Sequence, residues 1–508
     1  MSDTRRIARN TLILYFRQIL IMAVSLYTVR VVLNVLGAED YGIYNVVAGV
    51  VTMFGFLSGA MATASQRYFS FDLGQGNTEH LKTTFSVTFQ IYLLLALVIV
   101  LLAETAGLWF VNSKLVIPAE RMTAANCIYQ AAIVSFLLTL IITPYMASII
   151  AHENMNVYAY VSIVEVALKL GIVFLLKALA FDKLIVYGVL LAAVALINTS
   201  IYRFYCRAHY AECKFCFVKD KALFKEIVSY SGWNLFGSAA SVVKNQIINI
   251  LLNLYFGAVV NAARGVSAQV NAAVVSFSQN FSTALRPQII KSYVVNKKEE
   301  TLSIVFRGCK YTFFLMYIFA LPLVLEMDMI LRLWLKNPPE YAVIFTRLCL
   351  IEAVVGSVSY SLMTLIQATG RIKLYQSVVG GLLFFNLPCS LVVLKLGFPP
   401  YTVMIISLAV EVVAVIARVL IARYLVSFSL LGFIFKVMIP CISVVICSLV
   451  LPCFSHFYFT DYTRLFLSVS LSLIISVLCV IFIGMTFYER KTFCRYVVNR
   501  FFNKNGEC

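Results

Sequence analysis

Five basic residues stand inside long apolar runs of the sequence, where a charge has no ordinary place: Arg17, Arg30, Lys169, Lys244 and Arg264. At a helix centre in hydrocarbon each costs about 2.5–3.5 kcal/mol, and the five together on the order of 12–17 kcal/mol. They must therefore snorkel, pair or face water. Lys169 follows Glu165 by four residues, the spacing of an ion pair on one helix face. Arg418 follows Glu411 by seven, again on one face. Arg17 lies near enough to the end of its run to snorkel. Arg30, Lys244 and Arg264 find no partner in their own segments. Arg30 precedes Gly37 by seven residues and Arg264 follows Gly257 by seven. With about 1.5 Å of rise per residue both lie roughly 10 Å below those turns, and Lys244 roughly 20 Å below. The guanidinium fork matches phosphate oxygens in bidentate geometry, so this ladder of cations suits an anion.

The polar neighbours share the helical period. Ser238, Ser241, Asn245, Asn249 and Asn253 stripe one segment; Asn261, Arg264, Asn271, Ser278 and Ser282 stripe the next; Asn45, Gly49, Thr52, Gly59 and Thr63 form a smaller stripe early in the chain. Such stripes also serve as glue between helices. Where they carry Lys244 and Arg264 they are read as walls of an aqueous cavity, with Asn45, Thr52, Asn245, Asn249, Asn261 and Asn271 as its lining. No catalytic set accompanies them. The histidines His80, His152, His209 and His456 are scattered, no paired-carboxylate or nucleophile constellation recurs, and there is no Walker loop. Cys213 and Cys216 have zinc-ligand spacing but lack a second pair or a nearby histidine, so no metal site is assigned. The other cysteines lie largely in apolar segments and imply no disulfide framework.

These residues need helices to hold them. The 508 residues are 61% hydrophobic and 13% charged, with mean hydropathy +0.90, which excludes soluble, disordered and disulfide-rich secreted classes. Continuous apolar runs without two-residue alternation exclude a β-barrel. The expected architecture is all-α and polytopic, with about fourteen transmembrane helices near 11–36, 41–64, 83–106, 122–146, 157–179, 184–206, 229–256, 258–285, 305–327, 343–368, 376–397, 401–424, 434–452 and 464–487. The first is read as an uncleaved helix. Lys and Arg favour the even-numbered loops and both termini by about three to one, which predicts cytoplasmic termini. That bias accounts for most of the +18 net charge without nucleic acid. Pro144, Pro322, Pro388 and Pro440 fall inside spans, where they bend helices.

Sliding the chain along itself by about 220 residues sets "LGAEDYGIYN" beside "FGAVVNAARG", Gly37-Ala38 on Gly257-Ala258. Six expected spans separate the copies, so both run in one direction, the parallel-repeat arrangement of some transporters, whose substrate sites lie between the halves.

The stretches "VRVVLNVLGAEDYGIYNVVAGVV", "SGWNLFGSAASVVKNQIINILLNLYFG" and "RPQI" resemble the polysaccharide-biosynthesis flippases of the multidrug, oligosaccharidyl-lipid and polysaccharide exporter superfamily. The resemblance implies two pseudo-symmetric six-helix bundles plus a C-terminal helix pair. Laid on this sequence, that gives a bundle over 1–206, a cytoplasmic linker over 207–228, a second bundle over 229–424, an added pair over 425–487 and a basic tail over 488–508. It implies export of an undecaprenyl-diphosphate-linked oligosaccharide across a bacterial inner membrane for O-antigen, capsule or exopolysaccharide. Arg17, Arg30, Lys244 and Arg264 would bind the diphosphate, and the last two spans would guide the prenyl chain. Membrane lipids, a glycan polymerase and a chain-length regulator are the partners it implies, without a cofactor. Coupling to H+ or Na+ has no assigned site, because Glu165, Glu352 and Glu411 are dispersed. Two alternatives stay open. A drug or cation antiporter of the same fold should show carboxylates in its cavity. A membrane glycan polymerase should show a large outer loop or a catalytic carboxylate motif.

Overall fold

The computed structural model describes residues 3–52, 54–113, 115, 117–178, 181–335, 337–458 and 461–491. Among these the chain is helical, without strands, and ten helices are long and apolar enough to cross a membrane. Two bent pairs, Asp40–Val51 with Gly55–Gln75 and Ala342–Ser357 with Tyr360–Ala368, bring the number to twelve. The remaining two of the fourteen expected spans are also helical. The segment 11–36 lies within the helix Asp3–Thr52 and includes the apolar helix Asn10–Ser25, and 258–285 carries the polar stripe that makes it less apolar.

The chain divides into two compact units, one from Arg9 to Ser238 and the other made of the residues up to Ala8 and from Ala239 onward. The first is built from α1 (Asp3–Thr52), α2 (Gly55–Gln75), α3 (Thr78–Leu102), α4 (Leu108–Ser113), α5 (Met122–Ala151), α6 (Met155–Ala178) and α7 (Lys183–His209). Its core gathers Val32, Val47, Ile128, Tyr129, Val173 and Leu184. A Cβ on Gly188 would sit 3.3 Å from Ile128, so the glycine lets α7 approach α5 closely. A π-turn at Ala103–Gly107 joins α3 to α4, and the Tyr129 hydroxyl donates to the Ala103 carbonyl at 2.7 Å. Gly107 leaves room for that hydroxyl, since a Cβ there would meet it at 2.1 Å.

A long helix, α8 (Lys221–Val294), begins in the first unit and opens the second, followed by α9 (Lys298–Leu335), α10 (Ala342–Ser357), α11 (Tyr360–Ala368), α12 (Ile372–Lys395) and α13 (Thr402–Val426). The short α14 (Leu430–Phe433) runs through a π-turn into α15 (Ile439–Tyr458), and α16 (Asp461–Cys479) ends the series. Ile248, Leu252, Ala263, Met316, Phe345 and Met404 form the core of this unit. The added pair is tied to α9: Tyr317 and Ser448 share a hydrogen bond of 2.7 Å, and Arg464 pairs with the buried Glu326 at 3.3 Å.

The repeat seen in the sequence has a backbone signature. Gly37 breaks α1 at φ 81°, ψ 169°, and Gly257 breaks α8 at φ 79°, ψ −170°. This extended region at positive φ is essentially reserved for glycine. The same offset relates Gly76 (φ 69°), which caps α2, to Asn296 (φ 56°), in the turn between α8 and α9.

Candidate functional site

The Gly257 break folds the two arms of α8 into a hairpin, and Lys244 and Arg264 lie on opposite arms. Both are more than nine-tenths buried. The Nη2 of Arg264 donates to Asn245 Oδ1 at 3.2 Å, which bridges the arms one residue from Lys244. Nη1 donates to Ser267 Oγ at 3.2 Å and to Cys349 Sγ at 3.4 Å. Its Nε is buried with no hydrogen-bond partner. Among the described residues no carboxylate pairs with Arg264.

Lys244 differs from expectation. Its Nζ donates to Glu352 Oε1 at 2.6 Å, so the lysine has an acidic partner 108 residues away. Glu352 and Cys349 stand three residues apart on α10, which presents one group to each cation. A burial of this depth requires such compensation, because an isolated ammonium in a low-dielectric interior costs several kcal/mol. The only sequence signal for Glu352 was its own isolation, a carboxylate within an apolar span. Counting one charge on each of Lys244, Arg264 and Glu352, the cluster carries a net single positive charge.

The two pairs expected from spacing form as expected. Glu165 holds Lys169 at 2.6 Å and also accepts from Asn198 at 3.0 Å. Glu411 holds Arg418 at 2.6 Å, and the same guanidinium donates to Ser359 at 3.1 Å. Gly356 gives Glu411 its room, since a Cβ there would lie 2.8 Å from the carboxylate. Arg17 belongs to the first unit, where its guanidinium lies 4.4 Å from the Tyr158 ring centre and donates to the Tyr158 hydroxyl at 3.3 Å. Of the expected lining, Asn245 is exposed, while Asn249 and Asn271 are half-buried, with Asn271 Oδ1 unpartnered. The side chains of Arg30, Asn45, Thr52 and Asn261 lie outside the described residues.

The helical scaffold that carries these residues belongs to a known class of membrane fold. It is shared with a multidrug resistance MATE family transporter of the MOP superfamily in an outward-facing conformation, at TM-score 0.73 and 12% identity over 84% of this chain and 96% of that one. A mutant Vibrio cholerae MATE transporter aligns at TM-score 0.64 and 15% identity over 83% and 97% of the two chains. A MATE transporter solved in complex with Rb+ aligns at 0.69 and 14% over 86% and 97%. The class is thus a multi-pass membrane protein of the MATE fold. Within it, the chain belongs to the polysaccharide biosynthesis protein family, whose match covers residues 7–292, more than half its length. No curated protein matches the sequence.

Proposed function

We propose that this protein is a flippase that moves an undecaprenyl-diphosphate-linked oligosaccharide across a bacterial inner membrane by alternating access, with both termini cytoplasmic. A glycan polymerase and a chain-length regulator would act on its product. The family match supports the glycan pathway and the fold supports transport. The observation that carries the anionic substrate is the surplus cation: Arg264 is buried, rests on neutral donors and acceptors, and has no acid of its own.

A diphosphate would supply what Arg264 lacks and would compete with Glu352 for Lys244. Glu352 holds Lys244 in place, which avoids the cost of a buried unpaired ammonium. Arrival of the headgroup then exchanges one anion for another around the same lysine. Exchange of this kind keeps binding weak enough for release on the far side. A drug or cation antiporter would instead use a carboxylate free to meet a cation, whereas Glu352 and Glu411 are both taken by Lys244 and Arg418.

The test is reconstitution into liposomes with a labelled polyprenyl-diphosphate oligosaccharide, following its appearance in the opposite leaflet, beside efflux of an organic cation. Glycan lipid movement that falls at least tenfold in Arg264→Ala and Lys244→Ala, with membrane insertion intact, is the expected result; Arg30→Ala is expected to behave alike. Organic-cation efflux without glycan-lipid movement would replace this reading with the antiporter.

A further inference from the structure

The deepest electrostatic anomaly in the first unit lies away from Arg17. Arg67, on α2 two turns before the Gly76 cap, is only 7% exposed. Its guanidinium carbon lies 4.4 Å from the ring centre of Tyr68, 4.9 Å from that of Phe71 and 5.4 Å from that of Tyr230. The rings attract the cation through their π faces. They accept none of the five N–H groups of a guanidinium. Among the described residues Arg67 makes no hydrogen bond and no ion pair, and its Nε is buried without a partner.

The nearby acids are already committed. Glu226 accepts from the Tyr68 hydroxyl at 3.1 Å. Asp72 accepts from Thr84 at 2.6 Å and lies 3.0 Å from His80 Nδ1. Two more donors, on the helices that carry Arg67 and Tyr230, are unspent. Ser70, one turn along α2 from Arg67, and Ser231, next to Tyr230, are buried hydroxyls with no hydrogen-bond partner. Buried polar groups are satisfied in the great majority of cases, and a charged donor left open costs more than a neutral one. A buried guanidinium with its faces occupied and its edges free is complementary to a tetrahedral oxyanion, and the hydroxyls one turn along α2 and next to Tyr230 on α8 are free to add donors.

We propose that Arg67, Ser70 and Ser231 form a second anion site, separate from Lys244 and Arg264, that takes the phosphate group of a lipid headgroup. Arg67 itself, with Lys82, belongs to the connection between the second and third expected spans, which the sequence assigns to the cytoplasmic face, where phosphate headgroups are found. Two lipids carry this chemistry, a prenyl diphosphate and an acidic phospholipid. The site does not depend on the flippase reading, because it concerns headgroup capture alone.

The full chain, delipidated in neutral detergent, would be titrated with farnesyl diphosphate, with inorganic pyrophosphate and with phosphatidylglycerol micelles. Thermal unfolding and direct binding would both be read. Each titration would be repeated in Arg67→Met, in Arg264→Gln and in the double variant, so that the second unit's cations are accounted for. We expect saturable binding that raises the unfolding temperature and that Arg67→Met weakens about tenfold in either background, the scale of losing one charged donor. Arg67→Met should also leave the ligand-free protein at least as stable as the parent, since it removes an uncompensated charge. Arg67→Lys, which keeps the charge but not the planar fork, should fold and still bind about tenfold more weakly. Farnesyl diphosphate binding alone identifies a prenyl carrier; phosphatidylglycerol binding identifies a phospholipid; pyrophosphate binding shows that the headgroup suffices. Absence of saturable binding to all three probes would overturn the site. So would unchanged affinity in both Arg67 variants, with destabilisation of Arg67→Met as their only effect, since Arg67 would then be a packing residue held by its rings.

Discussion

The breaks at Gly37 and Gly257 have nearly the same backbone angles, yet the charges around them are arranged differently. Just past Gly37, Asp40 is held by Arg121, whose other nitrogen reaches Asp182 at 2.6 Å. Asp182 in turn caps α7 by accepting from the amides of Leu184 and Ile185. Arg121 and Asp182 are each about a third exposed, and Asp40 is buried. Around Gly257, Lys244 and Arg264 are buried, while Glu352 keeps about a fifth of its side chain exposed. A repeated backbone thus keeps one buried acid near Gly37 and two buried cations near Gly257. The same fold element carries an ion clamp on a buried acid in one half and a pair of buried cations in the other.

Substitutions that split the two regions should rank by how deeply the affected charge is buried. The largest effect is expected from Glu352→Ala, which leaves Lys244 buried and unpaired at a cost of about 3–5 kcal/mol. The double change Lys244→Met with Glu352→Leu should return stability to within about 1 kcal/mol of the parent while abolishing export. A thermal-unfolding double-mutant cycle checks this, and a stability loss in the double change equal to that of Glu352→Ala would break the comparison.

Next come the glycines. Alanine at Gly257 or Gly37 has open space for its Cβ, so only the backbone strain counts, about 1–3 kcal/mol. The two costs should agree within about 1 kcal/mol if the breaks are equivalent. Chemical denaturation of each variant measures it, and a free substitution at either position would dissolve the equivalence.

Arg17→Ala should be milder, losing one hydrogen bond and one cation–π contact with Tyr158, about 1–2 kcal/mol together. Arg17→Lys should recover part of that. Equal export loss in Arg17→Ala and Arg264→Ala would instead give the first unit a substrate role as strong as the second's.

The smallest effect concerns pH. Glu212, between α7 and α8, is buried, which alone would raise its pKa. Hydrogen bonds from His152, its own backbone and Ser148 outweigh that and hold it below the usual carboxylate value. A carboxylate lowered on folding stabilises the protein above its unfolded pKa and loses that contribution as pH falls through the folded one. Unfolding temperature should therefore decline on acidification below about pH 4.5, and Glu212→Gln should flatten that part of the profile.

Much of this was determined by the sequence alone. Run lengths and composition required a polytopic helical protein, and spacings of four and seven placed Glu165 against Lys169 and Glu411 against Arg418. The 220-residue offset located both glycine breaks. Such features are local, and helical periodicity states which residues share a face. The partner of Lys244 was not legible, because Glu352 lies on another helix and their meeting depends on how α10 is rotated and set against α8. The same holds for Arg264 with Cys349, for Arg17 with Tyr158 and for Arg67 among its three rings. Tertiary packing decided these contacts, since the energy of a buried charge is set by what neighbouring helices bring within a few ångströms of it.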